Sequence, residues 1–145
     1  VASITVSPGH TARSSRTSTA STETCGSASL LGKTLGNIAC AQADPLHLGV
    51  MIRDLPANSL WSVAGIGDVQ LQMNSLGIAC GGGVRVGLED NIWYDSRRSR
   101  LARNADLVRR VHALAEANER QVMAPAALRG LLKLQPGAGQ YGRVR

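Results

Sequence analysis

The 145 residues contain no Phe, and two Trp and two Tyr make up the whole aromatic complement. Aromatic side chains therefore offer little to a nucleic-acid surface. Lysine is nearly absent too: Lys33 and Lys133 are the only two among sixteen basic residues, the rest being Arg. The three cysteines, Cys25, Cys40 and Cys80, are widely spaced, with no CxxC pair. That pattern suits neither a zinc ribbon nor a secreted disulfide framework, which makes a reducing cytoplasm the expected location. No stretch approaches the roughly 18 apolar residues of a membrane span, and no signal peptide is visible, so a soluble chain is expected.

The residues that are present are unevenly distributed. Fourteen of the first 29 are Ser or Thr, and the large apolar residues fall almost entirely after Leu30. Such a segment cannot bury enough apolar surface to offset the entropy of ordering it, which predicts disorder over 1–29. The charge is skewed as well. Residues 1–90 carry five basic and six acidic side chains, whereas residues 91–145 carry eleven and four. A basic, Arg-rich half raises a polyanion as a partner.

From Asp44 a regular pattern begins. Asp44 as N-cap and Pro45 at the first helical position predict a helix, carried on by Leu48, Met51, Ile52 and Leu55 and stopped by Pro56. The short apolar run at 60–66, ended by glycines, reads as a buried strand, and 68–79 as a helix. A second strand is expected over 84–88, with Glu89-Asp90-Asn91 at its C-terminal end. Asn104 can cap a helix with the stripe Leu107, Val111, Leu114 and Ala115, and a short helix from Pro125 should bury Leu128, Leu131 and Leu132. Alternation of this kind implies parallel strands in an α/β arrangement. Two strands make a poor sheet alone, and each looks suited to cover on both faces, so part of a larger fold is expected.

Sites in parallel α/β folds lie outside the carboxyl ends of the strands, where Glu89 and Asp90 are expected. Arg85 and Glu89, four positions apart on an extended segment, would point to one side, with Asp90 turning off the end. A carboxylate pair beside a guanidinium suits metal ligation by one acid and proton transfer by the other; a plain strand-end ion pair is the alternative. The cluster Arg97, Arg98, Arg100, Arg103, Arg109 and Arg110 reads either as a solvated face or as an anion site, for which the phosphates of CoA are plausible ligands. Nucleic acid is the weaker option there, with only Trp93 and Tyr94 nearby. Two motifs fall short. The stretch from Ser27 to Thr34 has Ser at the first glycine position of a phosphate-binding loop and no strand before it, and Gly65-Ile66-Gly67 has Gln70 where a dinucleotide fingerprint needs its third glycine. His47 and His112 sit at ordinary helix positions without partners for a metal.

The runs LWSVAGIG at 60–67, GGGVRVGLEDN at 81–91, NADLV at 104–108 and VMAP at 122–125 resemble the β-keto acid cleavage enzymes, whose type member is the 3-keto-5-aminohexanoate cleavage enzyme. The resemblance spans about 44–134. It implies the C-terminal portion of a zinc-dependent (β/α)8 TIM barrel, about strands seven and eight with flanking helices. A whole barrel needs typically about 250 residues. The implied organisation is a Ser/Thr-rich segment at 1–43, disordered or out-of-family, a partial barrel at 44–134 and a flexible tail at 135–145. The start at Val1 and the abrupt onset of the match suggest a truncated or frameshifted reading frame.

By that resemblance a β-keto acid and acetyl-CoA give acetoacetate and a new CoA thioester. Glu89 is the implied zinc ligand, Asp90 the catalytic base, and Arg85 the residue that assists it and orients the anionic substrate. Zinc as a Lewis acid beside a proton-removing carboxylate is consistent chemistry. The family's other zinc ligands are a His-x-His pair. His10, His47 and His112 are the only histidines here, no two within three positions, so this chain alone is expected to be inactive. Gly83 stands where relatives often carry His. Expected partners are the small-molecule β-keto acid and acetyl-CoA, with a homo-oligomer left open and no membrane. The alternative from another class is a small basic α/β module that holds an acidic partner or nucleic acid through its Arg cluster.

Overall fold

The computed structural model describes residues 2–5 and 30–134. The expected tail and most of the Ser/Thr-rich start lie outside that range. The elements run β1 (Ala2–Ile4), β2 (Leu30–Leu35), α1 (Pro45–Arg53), β3 (Leu60–Gly65), a 3-10 turn (Gly67–Val69), α2 (Gln70–Ala79), β4 (Gly83–Val86), α3 (Asn104–Ala117) and α4 (Pro125–Leu131). They form one sheet in the order β1-β4-β3-β2, with β2, β3 and β4 mutually parallel and β1 antiparallel to β4. The α/β alternation expected from the sequence is present, and no helix among the described residues is long and apolar enough to cross a membrane.

Two strands had not been expected. Residues 1–43 were expected to be disordered or outside the family, yet β2 lies in that segment and pairs with β3 over six residues, and β1 pairs with β4. The β2 sequence, LLGKTL, contains Gly32 and Lys33 and has no strong strand signature; its conformation follows from pairing with β3 rather than from local preference. Lys33 and Thr34 therefore stand in a strand and not in a phosphate-binding loop.

The register shows why the sheet is one-sided. Lys33, Val63 and Val84 are cross-strand partners, so Leu35, Trp61, Val63, Val84 and Val86 share one face. That face carries both apolar clusters. Leu35, Leu48, Val63 and Met73 pack beneath α1 and α2, and Ile4, Ile78, Val84, Val86, Leu107, Val111 and Ala115 pack beneath α2 and α3. Apart from Leu60 at the start of β3, the opposite face carries Gly32, Thr34, Ser62, Ala64, Gly83 and Arg85, small or polar side chains. Helices thus cover one face among the described residues, where cover on both faces had been expected.

The helices begin largely as their sequences dictate. Asp44 caps α1 through its side chain, accepting from the His47 N–H at 2.9 Å, and its second oxygen meets the His47 ring at 2.5 Å. His47 is thus part of a cap. The α3 stripe is buried as expected at Leu107, Val111 and Ala115. Two details differ. The cap of α3 is Arg103, without a side-chain bond, which frees the Asn104 amide for another partner. In α4 no residue is buried and Leu131 is 47% exposed, because this helix joins neither cluster.

Candidate functional site

β4 ends at Val86, and the chain then closes a tight turn. The Gly87 carbonyl accepts the N–H groups of Asp90 at 3.1 Å and Asn91 at 3.3 Å. The expected continuation of the strand to Leu88 is thereby corrected: the turn carries the acids back over the strand end. Arg85 and Glu89 do meet, Nη2 to Oε1 at 3.4 Å, but across this turn rather than along an extended segment.

Arg85 grips Asp90 with two donors. Nε donates to Oδ2 at 3.2 Å, and Nη2 donates to Oδ1 in a short contact. This two-point fork fixes the carboxylate plane as well as its distance. Asp90 is buried, its side chain only 3% exposed, whereas Glu89 is 55% exposed. The Asp90 hydrogen bond, the largest influence on Arg85, holds its guanidinium protonated above the usual range. Nη1 of Arg85 has no hydrogen-bond partner among the described residues. The site therefore offers a fixed, buried carboxylate, a guanidinium with donors to spare, and a solvent-facing carboxylate beside them.

Other elements meet at the same turn. Gly67, with a positive φ of 65°, donates its N–H to the Asp90 carbonyl at 2.7 Å. Gln70 Nε2 donates to the Gly87 carbonyl at 3.3 Å, and Asn104 Oδ1 accepts the Leu88 N–H at 3.3 Å. Sequence reading missed all three contributions. Gln70 had registered only as a missing glycine and Asn104 only as a cap.

The Arg-rich cluster is mostly internally braced. Arg98 pairs with Asp68 at 2.9 Å, and Arg100 and Arg109 share Asp106 at 3.1 and 2.8 Å. Arg100 and Arg110 lie against the Tyr94 ring at 4.4 and 4.6 Å, a double cation–π arrangement. Arg110 also donates to the Tyr94 carbonyl, and burial pushes its guanidinium down. A cavity of about 100 Å³ lies beside this brace, lined by Asp68, Asn91 and Tyr94 among others. Arg97 and Arg103 remain without an ion pair among the described residues. The larger depression, about 630 Å³, is lined by His112, Glu116 and Arg120, toward the other end of α3 from Asn104.

Comparison with known proteins places these runs together. The family model of the β-keto acid cleavage enzymes matches residues 15–134. This chain belongs to the β-keto acid cleavage enzyme family. The match begins well inside the stretch at 1–43 that sequence reading had left outside the family. A 3-keto-5-aminohexanoate cleavage enzyme of Fusobacterium nucleatum is 43% identical over 94 residues, 64% of this chain and 34% of the relative. A 3,5-dioxohexanoate:acetyl-CoA acetone transferase of Paraburkholderia graminis is 32% identical over 106 residues, 72% of this chain and 34% of the relative. A 3-oxoadipate:acetyl-CoA acetyltransferase of Cupriavidus necator is 41% identical over 83 residues, 57% of this chain and 29% of the relative. The chain thus spans about a third of the length of the curated relatives it matches.

Proposed function

We propose that this chain is the C-terminal third of a β-keto acid cleavage enzyme, with β2, β3 and β4 as three consecutive strands of a (β/α)8 barrel. Three observations support the placement: the strands are parallel, they neighbour one another in chain order, and helices intervene on one face. In that arrangement the face of Ser62, Ala64 and Arg85 is the barrel interior, and the partial-barrel unit, expected at 44–134, reaches back to include β2. The reaction is the family's, in which a β-keto acid and acetyl-CoA give acetoacetate and a CoA thioester. The names of two relatives as acetyl-CoA transferases support the co-substrate.

The zinc implied by the family resemblance does not fit the described residues alone. Glu89 is a single, half-exposed carboxylate, and no three His, Cys, Asp or Glu among the described residues stand close enough to share an ion. Glu89 would serve as one ligand only beside donors from elsewhere, so no step is drawn through the metal.

What the chain supplies is the acid–base and anion-binding arm. Asp90 is the base that takes the proton, and its buried Oδ atoms are held by Arg85 in one orientation. The Nη1 group of Arg85 is the donor for the carboxylate of the keto acid. The observation that carries this reading is the Arg85–Asp90 fork at the carboxyl end of β4. The test is a chimera in which this chain's matching 94 residues replace those of the Fusobacterium relative. Acetyl-CoA-dependent formation of acetoacetate from a β-keto acid is expected, falling at least about a hundredfold in Asp90→Asn, while the isolated chain gives none. A chimera that turns over with Asp90→Asn unimpaired removes Asp90 from the mechanism.

A further inference from the structure

We propose that Gln70 is a positioning residue for the Glu89-Asp90 turn, acting through the Gly87 carbonyl. The inference rests on the reading of Glu89 and Asp90 as site acids, but its geometry stands independently. Gln70 is fully buried at the first position of α2. A buried amide is unfavourable unless its polar atoms are paired, and here Oε1 has no partner among the described residues. An apolar side chain of the same length would avoid that penalty. The one bond that the Gln70 side chain makes among the described residues is Nε2 to the Gly87 carbonyl, the same oxygen that accepts from Asp90 and Asn91 and closes the turn.

The approach has its own structural provision. A Cβ on Gly65 would lie 2.6 Å from the Gln70 Cα and 2.7 Å from the Val69 carbonyl, so only glycine lets the end of β3 come this near to the start of α2. Two residues later Gly67 donates to the Asp90 carbonyl. The segment from Gly65 to Gln70 therefore holds the 87–91 turn at two points, the Gly87 and Asp90 carbonyls. Arg85 can grip Asp90 with two donors only while that backbone stays in register.

The test uses the full chain and amide hydrogen exchange. Gln70→Met keeps the length and removes the donor. Exchange at Asp90, Asn91 and Gly67 should speed by about three- to tenfold, the range of one lost hydrogen bond, with Leu107 and Val111 unchanged. Gln70→Asn keeps a buried amide but is one methylene too short, and should give the same local loosening if the Met variant folds poorly. Asn74→Leu removes an equally buried amide one turn along α2 and should leave the turn as it was. Unchanged exchange at Asp90 and Asn91 in both Gln70 variants, or an equal rise throughout the core, overturns the proposal. In the active chimera Gln70→Met should lower kcat about tenfold with KM little changed, and normal kcat there also overturns it. An inactive parent chimera that still shows the local exchange change counts against the enzymatic reading and not against the positioning.

Discussion

Two sets of arginine–aspartate pairs in this molecule have the same chemistry and different surroundings. Arg98 and Asp68 meet at 2.9 Å with side chains 59% and 52% exposed, while Arg85 meets Asp90 at a side chain only 3% exposed. Water competes for the first pair and screens it, so such contacts contribute between nothing and about 1 kcal/mol. The second is a buried carboxylate for which the guanidinium replaces lost hydration, and removal of either partner strands a charge. Location within the fold, rather than the number of cations, separates a pair that anchors a buried carboxylate from one that water screens. The Arg-rich loop drew attention in the sequence, yet it is the one arginine on β4 that holds a buried acid.

The sharpest way to break that contrast is Arg85→Leu. It leaves the Asp90 carboxylate buried without its fork, and destabilisation of about 3 kcal/mol is expected, on the order of 10 °C in Tm. The double variant Arg85→Leu with Asp90→Leu should recover much of this loss, since no charge is then stranded. Thermal melts of the two variants check both statements.

Next in size is Gly65→Ala. The added Cβ meets backbone atoms at 2.6 and 2.7 Å, which cannot swing aside as a side-chain tip would. A cost of about 1–3 kcal/mol is expected, with faster amide exchange at Asp90 because α2 must retreat from the turn. Asn104→Ala follows, at about 1 kcal/mol, by releasing the Leu88 N–H. Asn104→Asp retains an acceptor in the same place, at a helix start that favours negative charge, and should restore most of it. Urea midpoints of the three proteins rank these outcomes.

These variants also mark where the sequence was legible. Helices α1 and α3 and strands β3 and β4 follow from apolar periodicity, Asp44-Pro45 and the flanking glycines, all local signals. β2 was not legible, because Gly32 and Lys33 interrupt its pattern and only pairing with β3 defines it. In α2 apolar character does not mark the buried face: Leu71 is 41% exposed while Gln70 and Asn74 are buried. Arg85, Glu89 and Asp90 were found by position at a strand end, and they do come together. Gln70 and Asn104 escaped because their partners are backbone groups 17 and 16 residues away, which no spacing rule reaches.

The smallest expected effects belong to the ion pairs of the Arg-rich cluster, whose arginines are exposed. Arg98→Gln should change stability by no more than about 0.5 kcal/mol and less at high salt. Asp106 is held below the usual carboxylate range first by its hydrogen bond to Arg109 and then by Arg100. A carboxylate depressed in the folded state contributes stability above its unfolded value, near 3.8, and loses it as pH falls through the folded value. The stability gap between the natural chain and Asp106→Asn should therefore be open at pH 7 and close as pH drops below about 4. Urea midpoints at pH 7 and pH 3 measure it. A gap that persisted in acid would mean that Asp106 acts through packing at the start of α3 instead of through its charge, and the Arg-rich loop would then rest on more than surface ion pairs.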